Sequence, residues 1–329
     1  MLAGAQRRLA TLESVMAVTQ EMPPKSGLRT DTPATRKRAR RGREGLTGAL
    51  MVSPAILLLL VFFFVPVALC FALAFTNARL ISPEPARIIG FENFSRLFSD
   101  PLFWKALRNT LYFAVVVVPL QAGFALLLAL LVNAKIRGVN FFRTLYFVPV
   151  VTSIVVVSIL WRFMYQPDGL VNNLLQTLSF NVVQGTDWLN NPTAAMPAIM
   201  FMSIWQAVGF HMVIWLSGLQ TIPGELYEAA ELDGADKWQQ FRYITWPGLK
   251  ATRTFILVTI TIAALSLFSQ INIMTQGGPL DRTATVVFQA VRVGYGQQET
   301  AYASTISLVF FLLVLAVSLV QRYLTRERG

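Results

Sequence analysis

Six stretches of this chain are apolar for long enough to be helices that cross a bilayer, and that leaves few folds open. A helical span needs about 20 apolar residues to cross a hydrocarbon core of about 30 Å. Such stretches lie near 50–76, 111–133, 145–165, 196–218, 254–274 and 304–322. The strands of a membrane barrel alternate in polarity over about 10 residues, and the unbroken apolar blocks here argue against one. A soluble domain would carry roughly a quarter charged residues, whereas only 14% of this chain is charged. The expected fold is all-α and polytopic, with six transmembrane helices.

Charge placement sets the expected orientation. An even number of spans puts both termini on one side. With the N-terminus inside, twenty of the 28 Lys and Arg fall in inner segments. These are the head, the second-to-third loop (Lys135, Arg137, Arg143), the loop carrying Lys237, Arg242, Lys250 and Arg253, and the tail. The positive-inside rule therefore favours cytoplasmic termini. The 78–108 loop dissents, because five of the eight outer cations lie between spans one and two. The single cysteine, Cys70, lies in span one, reads as a small packing residue, and can form no intrachain disulfide.

Residues 1–45 form a separate regime, rich in Arg, Thr and Pro, and are expected to be a disordered, basic cytoplasmic head. Its run Arg36-Lys37-Arg38-Ala39-Arg40-Arg41 abuts a span. That position suits contact with anionic lipid headgroups better than nucleic acid. The head holds no apolar core of signal-peptide type, so span one reads as an uncleaved anchor. Residues 46–325 form the membrane domain and 326–329 a short tail. Between spans one and two a short helix is expected.

Between spans four and five lies a polar island, residues 219–253. Pro223 suits a first helical turn, where its missing N–H costs nothing. Glu225 and Glu228 near the helix start suit the dipole. Gly234 allows the left-handed conformation that ends the helix. Asp236 with Gln239 three residues on fits a capping box, and Pro247 is expected to end that second helix. Ala229 and Ala230 would let another surface approach closely. Two readings of this rigid hairpin stand at this point: a docking element for a soluble partner, or an ordinary solvated loop.

The stretch Glu228-Ala229-Ala230-x-x-x-Gly234, nine residues, then Ile244-x-Trp246-Pro247, resembles the EAA loop of ABC importer permeases. Trp246 stands where that family has Leu. The likeness covers roughly 48–325, through Gly218-Leu219-Gln220-Thr221-Ile222-Pro223, Met274-Thr275-Gln276-Gly277-Gly278-Pro279 and Gly90-Phe91-Glu92-Asn93-Phe94. It looks like the carbohydrate-uptake branch, the maltose and glycerol-phosphate type. Gln276 stands where Gly is common in that branch.

The resemblance implies a type I importer permease in a bacterial plasma (inner) membrane. Its implied partners are a cytoplasmic ABC ATPase dimer, a second and non-identical six-helix permease, an extracellular or periplasmic solute-binding protein, and a sugar. Carried over, the ATPase-coupling residues are Glu228, Ala229, Ala230, Asp233, Gly234 and Pro247. No cofactor is expected on the chain itself; ATP and Mg would be used by the partner. In agreement, the sequence has no G-x-x-x-x-G-K-[ST] phosphate loop, so it is read as a transport subunit and not an enzyme.

Polar side chains within spans are costly and point to function or helix contacts. Trp205, Gln206, Ser266, Phe268, Gln270 and Asn272 are the candidate sugar contacts, pairing hydrogen-bonding groups with aromatic faces. Gln121 and His211 read as interhelical bonds. Two other classes stay open on the residues alone: an ion-coupled secondary transporter and a membrane scaffold. No Asp or Glu lies within the six spans, which argues against proton coupling.

Overall fold

The computed structural model describes residues 50–82, 85–133, 138–180 and 185–325. The expectations for the head 1–45 and the tail 326–329 lie outside the described residues, as do those for Lys135 and Arg137. Strand pairing among the described residues is one isolated bridge, Thr76 with Ile88. Everything else regular is helix, as apolar blocks without period-two alternation require.

Span one is α1 (Leu50–Leu73). Within it the chain divides into two units, Met1–Phe64 and Val65–Gly329. The described part of the first unit, 50–64, is an exposed apolar helix that widens into a π turn at Leu60–Phe64.

The second unit holds the rest. The short helix expected before span two is α2 (Glu92–Ser99), and span two is α3 (Pro101–Asn133). α3 starts ten residues before its apolar block. Pro101 suits a first helical position, and the Asp100 carboxylate accepts the Leu102 N–H at 2.8 Å. Asn93 of the Gly-Phe-Glu-Asn-Phe stretch donates to the Ala74 and Thr76 carbonyls, 3.1 and 2.8 Å away, which closes the end of span one.

Span three departs from expectation. Instead of one helix over 145–165, the chain forms α4 (Val139–Val151) and α5 (Ile154–Met164), bent by 97°. Pro149 removes a hydrogen bond near the end of α4. Thr152 and Ser153 then take extended ψ values of 137° and 132°, which turn the chain. After α6 (Leu170–Leu178), span four is α7 (Ala195–Gln220). The island forms α8 (Gly224–Leu232) and α9 (Lys237–Gln240). Span five is α10 (Lys250–Leu265) followed, after a break, by α11 (Ser269–Met274). α12 (Val286–Val291) precedes span six, α13 (Thr300–Thr325). Among the described residues five helices are thus long and apolar enough to cross a membrane, and the bent pair makes a sixth span if counted as one.

Two apolar clusters are stacked along the helices. One joins Phe103 to Val117 of α3 with Met196 to Met202 of α7 and with α11, α12 and α13. The other joins Ala122 to Val132 of α3, Val208 to Leu219 of α7 and Leu249 to Ile260. α3 and α7 therefore run parallel, first half against first half. Buried Ala122, Ala125 and Ala129 form a small-residue stripe that admits α7 closely. Polar bonds cross the same contact: Trp215 Nε1 donates to the Ala122 carbonyl at 3.1 Å, and Gln121 meets His211 at 3.0 Å. Both Gln121 and His211 are buried, so they serve as the interhelical bond expected of them.

Candidate functional site

The polar island hangs from the second cluster. Phe241, Trp246 and Ile222 pack on it, and Leu249 is wholly buried in it. The island's chemistry is local. Pro223 sits one position before α8, as its N-cap, with φ −59° and ψ 132°. The helix then ends in a left-handed turn at Gly234, φ +79°. There Asp233, Gly234 and Ala235 donate back to the carbonyls of Ala229, Glu231 and Ala230 at 3.0, 3.1 and 2.8 Å. Asp236 caps α9 in the expected capping box with Gln239.

Side-chain bonds from Tyr227 and Glu231 tie α8 to the segment after it. Tyr227 Oη meets Thr245 Oγ1 at 2.9 Å, and Lys237 Nζ donates to Glu231 at 2.8 Å. The Lys237 bond, then that from Gln240, hold the Glu231 carboxyl below the ordinary glutamate range. Glu228 is different. It is exposed and has no ion pair or hydrogen bond through its side chain among the described residues. α8 buries none of its residues, and around it Leu232, Trp238 and Tyr243 are 89%, 70% and 72% exposed. The result is a short helix, held at its base, whose own surface is free.

Pro247 does not end the second helix. A π turn, Phe241–Thr245, follows α9, and Pro247 sits within a further helical turn, Trp246–Gly248. The wider π register brings the Trp246 N–H to the Phe241 carbonyl, and Pro247 falls in the first turn of the next helical segment, where a missing N–H is tolerated. The chain turns instead at buried Leu249. Trp246 lies under the Arg253 guanidinium, 4.5 Å from the ring centre. Gly218 is needed for closeness, since a Cβ would come 2.4 Å from Thr252; at Gly248 it would come 2.9 Å from the tip of the Ile222 side chain, which can turn aside.

The six candidate sugar contacts are spread over α7, the α10–α11 break and α11. Ser266, at the α10–α11 break, lines a cavity of about 580 Å³ walled mainly by apolar residues of α12 and α13. Trp205 stands edge-on to Trp161, ring centres 5.4 Å apart. Gln206 donates to the Pro149 carbonyl at 3.4 Å, beside the break in span three. Phe268 stacks on Phe288 at 6.5 Å. Gln270 and Asn272 lie on α11, which packs against α5.

Other polar residues organise the end remote from α8, and their sequence positions did not single them out as hubs. Asn172 donates to the Gln166, Pro167 and Thr186 carbonyls and accepts from Thr186 N and Trp188 Nε1. Asn109 of α3 donates to the Asp281 and Ala284 carbonyls, both at 2.9 Å. Asn172 follows Pro167 and Gly169 and precedes Asn173, and Asn109 stands just before an apolar block; these are weak signals. Gln276 has φ +50°, in the left-handed region that favours glycine.

Comparison with known proteins agrees with this geometry. Residues 121–328 match the family described as "Binding-protein-dependent transport system inner membrane component". The chain is 37% identical to the lactose transport system permease protein LacF of Rhizobium radiobacter, over 86% of this chain and 95% of the relative. It is 32% identical to the trehalose/maltose transport system permease protein MalF of Thermococcus litoralis, over 87% and 96%. A chain of a solved bacterial alginate ABC transporter, in complex with an alginate pentasaccharide-bound periplasmic protein, superposes with TM-score 0.75. That match is at 25% identity and covers 87% of this chain and 95% of that one.

Proposed function

Because this chain belongs to the family of binding-protein-dependent transport system inner membrane components, as a permease subunit and not the catalytic one, we propose that its cargo is a sugar. We propose further that ATP hydrolysis on a partner drives transport through α8. Family membership sets aside the ion-coupled carrier and the scaffold. The sugar reading is supported by the relatives: one is named for lactose and one for trehalose and maltose. Trp205, Gln206, Ser266, Phe268, Gln270 and Asn272 are the contacts we assign to it, on α7, at the α10–α11 break and on α11. Their dispersal fits a site completed by a second, non-identical permease.

The observation that carries the coupling proposal is the state of α8. It is braced at its base by Tyr227–Thr245 and Glu231–Lys237, yet buries no residue of its own. Rigid attachment with a free surface is what transmission of a push requires. In this reading Glu228, Ala229 and Ala230 face a cytoplasmic ATPase dimer, Asp233 and Gly234 set the turn, and Pro247 follows the π turn at its base. Both termini and the α8 loop lie on the cytoplasmic side, and a binding protein delivers cargo at the opposite end. ATP and Mg are bound by the ATPase, with no cofactor on this chain.

The test is Glu228→Lys, with Ala229→Asp as a second variant, in cells carrying the whole system. Both should abolish uptake and reduce co-purification of the ATPase while leaving the permease in the membrane at normal level. Normal uptake with normal ATPase retention would refute the coupling role.

A further inference from the structure

The cations that broke the positive-inside pattern between spans one and two are not all spent on ion pairs. Pro101, Trp104, Lys105 and Arg108 share one face of α3, at helical spacing, and with Arg282 they line a pocket of about 440 Å³. Three cations and a tryptophan form it, and no carboxylate lines it. The nearest acids in sequence are committed elsewhere. Asp100 accepts from Tyr302 Oη at 2.7 Å and from the Leu102 N–H. Asp281 pairs with Arg292 at 2.8 Å. Lys105 donates to the Leu280 carbonyl and keeps further N–H groups. Arg108 and Arg282 are exposed and have no ion-pair partner among the described residues. Trp104 is anchored by its Nε1 bond to the Phe98 carbonyl at 2.9 Å.

What lies below the pocket identifies its occupant. The same face of α3 continues as Leu111, Tyr112 and Val115, which are 39%, 49% and 71% exposed. One α-helical residue rises about 1.5 Å, so Arg108 stands roughly 5 Å above the start of this apolar strip. That is headgroup depth above acyl-chain depth, and tryptophan and tyrosine are the residues that mark this boundary. Because α3 runs parallel to α7, which leads into α8, the pocket is at the end of the molecule away from α8.

We propose that this face of α3 is a phospholipid site: a headgroup phosphate bound among Lys105, Arg108 and Arg282, with an acyl chain along Leu111, Tyr112 and Val115. Anionic lipid is preferred, since the cations have no counter-charge of their own. The proposal does not depend on which solute is carried or on how α8 is used.

The test is lipid retention by the purified complex in nanodiscs of phosphatidylglycerol and phosphatidylethanolamine, read by native mass spectrometry. Phosphatidylglycerol should be enriched on the wild type. Arg108→Gln with Arg282→Gln should lower its relative affinity by roughly tenfold or more. Arg282→Gln alone, in a loop, carries the test if the double variant fails to fold, with a smaller drop in the same direction. Equal enrichment in variant and wild type would overturn the proposal. So would displacement of the lipid signal by millimolar inorganic phosphate, which would mark a free-anion site. Unchanged lipid with lost attachment of the binding protein would also overturn it, and would assign the pocket to an acidic protein surface.

Discussion

Replacement of Gly234 by alanine separates backbone conformation from crowding at the end of α8. The residue stands at φ +79°, and a Cβ built there meets nothing within 4 Å. The cost of a side chain is therefore conformational only, about 1–2 kcal/mol for an L-residue held in the left-handed region. At tenfold per 1.4 kcal/mol, opening of the turn should rise about 5- to 30-fold. The amides of Asp233, Gly234 and Ala235 donate back across this turn. They report its opening directly, and hydrogen–deuterium exchange over 224–236 in the purified complex is the assay. Gly234→Asn should recover most of the loss, because asparagine tolerates the same region. Gly224→Ala, in the open first turn of α8, should slow exchange by the equivalent of about 0.4–1 kcal/mol, since it restricts the unfolded chain without strain. Wild-type exchange in Gly234→Ala, or equal damage from Gly224→Ala, would refute the argument that one position demands its φ and the other does not.

Three further outcomes are expected. Gln276→Gly removes a side chain from φ +50° and should raise thermal stability in detergent by up to about 1 kcal/mol; a loss would show that the glutamine side chain contributes more than its backbone costs. Gly209→Ala would put a Cβ 2.0 Å from the Tyr146 carbonyl oxygen, so α4 must move off α7 at a cost of about 1–3 kcal/mol; an unchanged melting temperature would contradict that contact. The Lys237 and Gln240 bonds hold the folded-state Glu231 carboxyl below its ordinary value, so the stabilisation they provide is present above that ordinary value and is lost as pH falls through the lowered one. Glu231→Gln should flatten this acid limb in the exchange of α8, and an unaltered limb would place the acid sensitivity elsewhere.

The number and place of most spans, and the local architecture of the polar island, were legible in the order of the amino acids. Both are short-range matters. Whether about 20 residues can lie in lipid depends on those residues alone, and the Asp236–Gln239 box and the Gly234 turn act within a few positions of themselves. The same locality made the family resemblance readable in Glu228-Ala229-Ala230 and Gly234. Long-range packing settled the rest. Span three breaks because Pro149 and Thr152-Ser153 permit it, and the broken end is met by Gln206 and the bare Gly209 of α7. Pro247 is expected from sequence to stop a helix, but it falls in the first turn of the segment after the π turn, where a proline is tolerated. The partners of Gln121, Asn109 and Trp215 lie on other elements, far away in sequence. A polar group in an apolar chain must find some partner, so its sequence position announces a bond without saying with what, and only the packing of α3 against α7 and of the 275–285 loop on α3 supplies the answer.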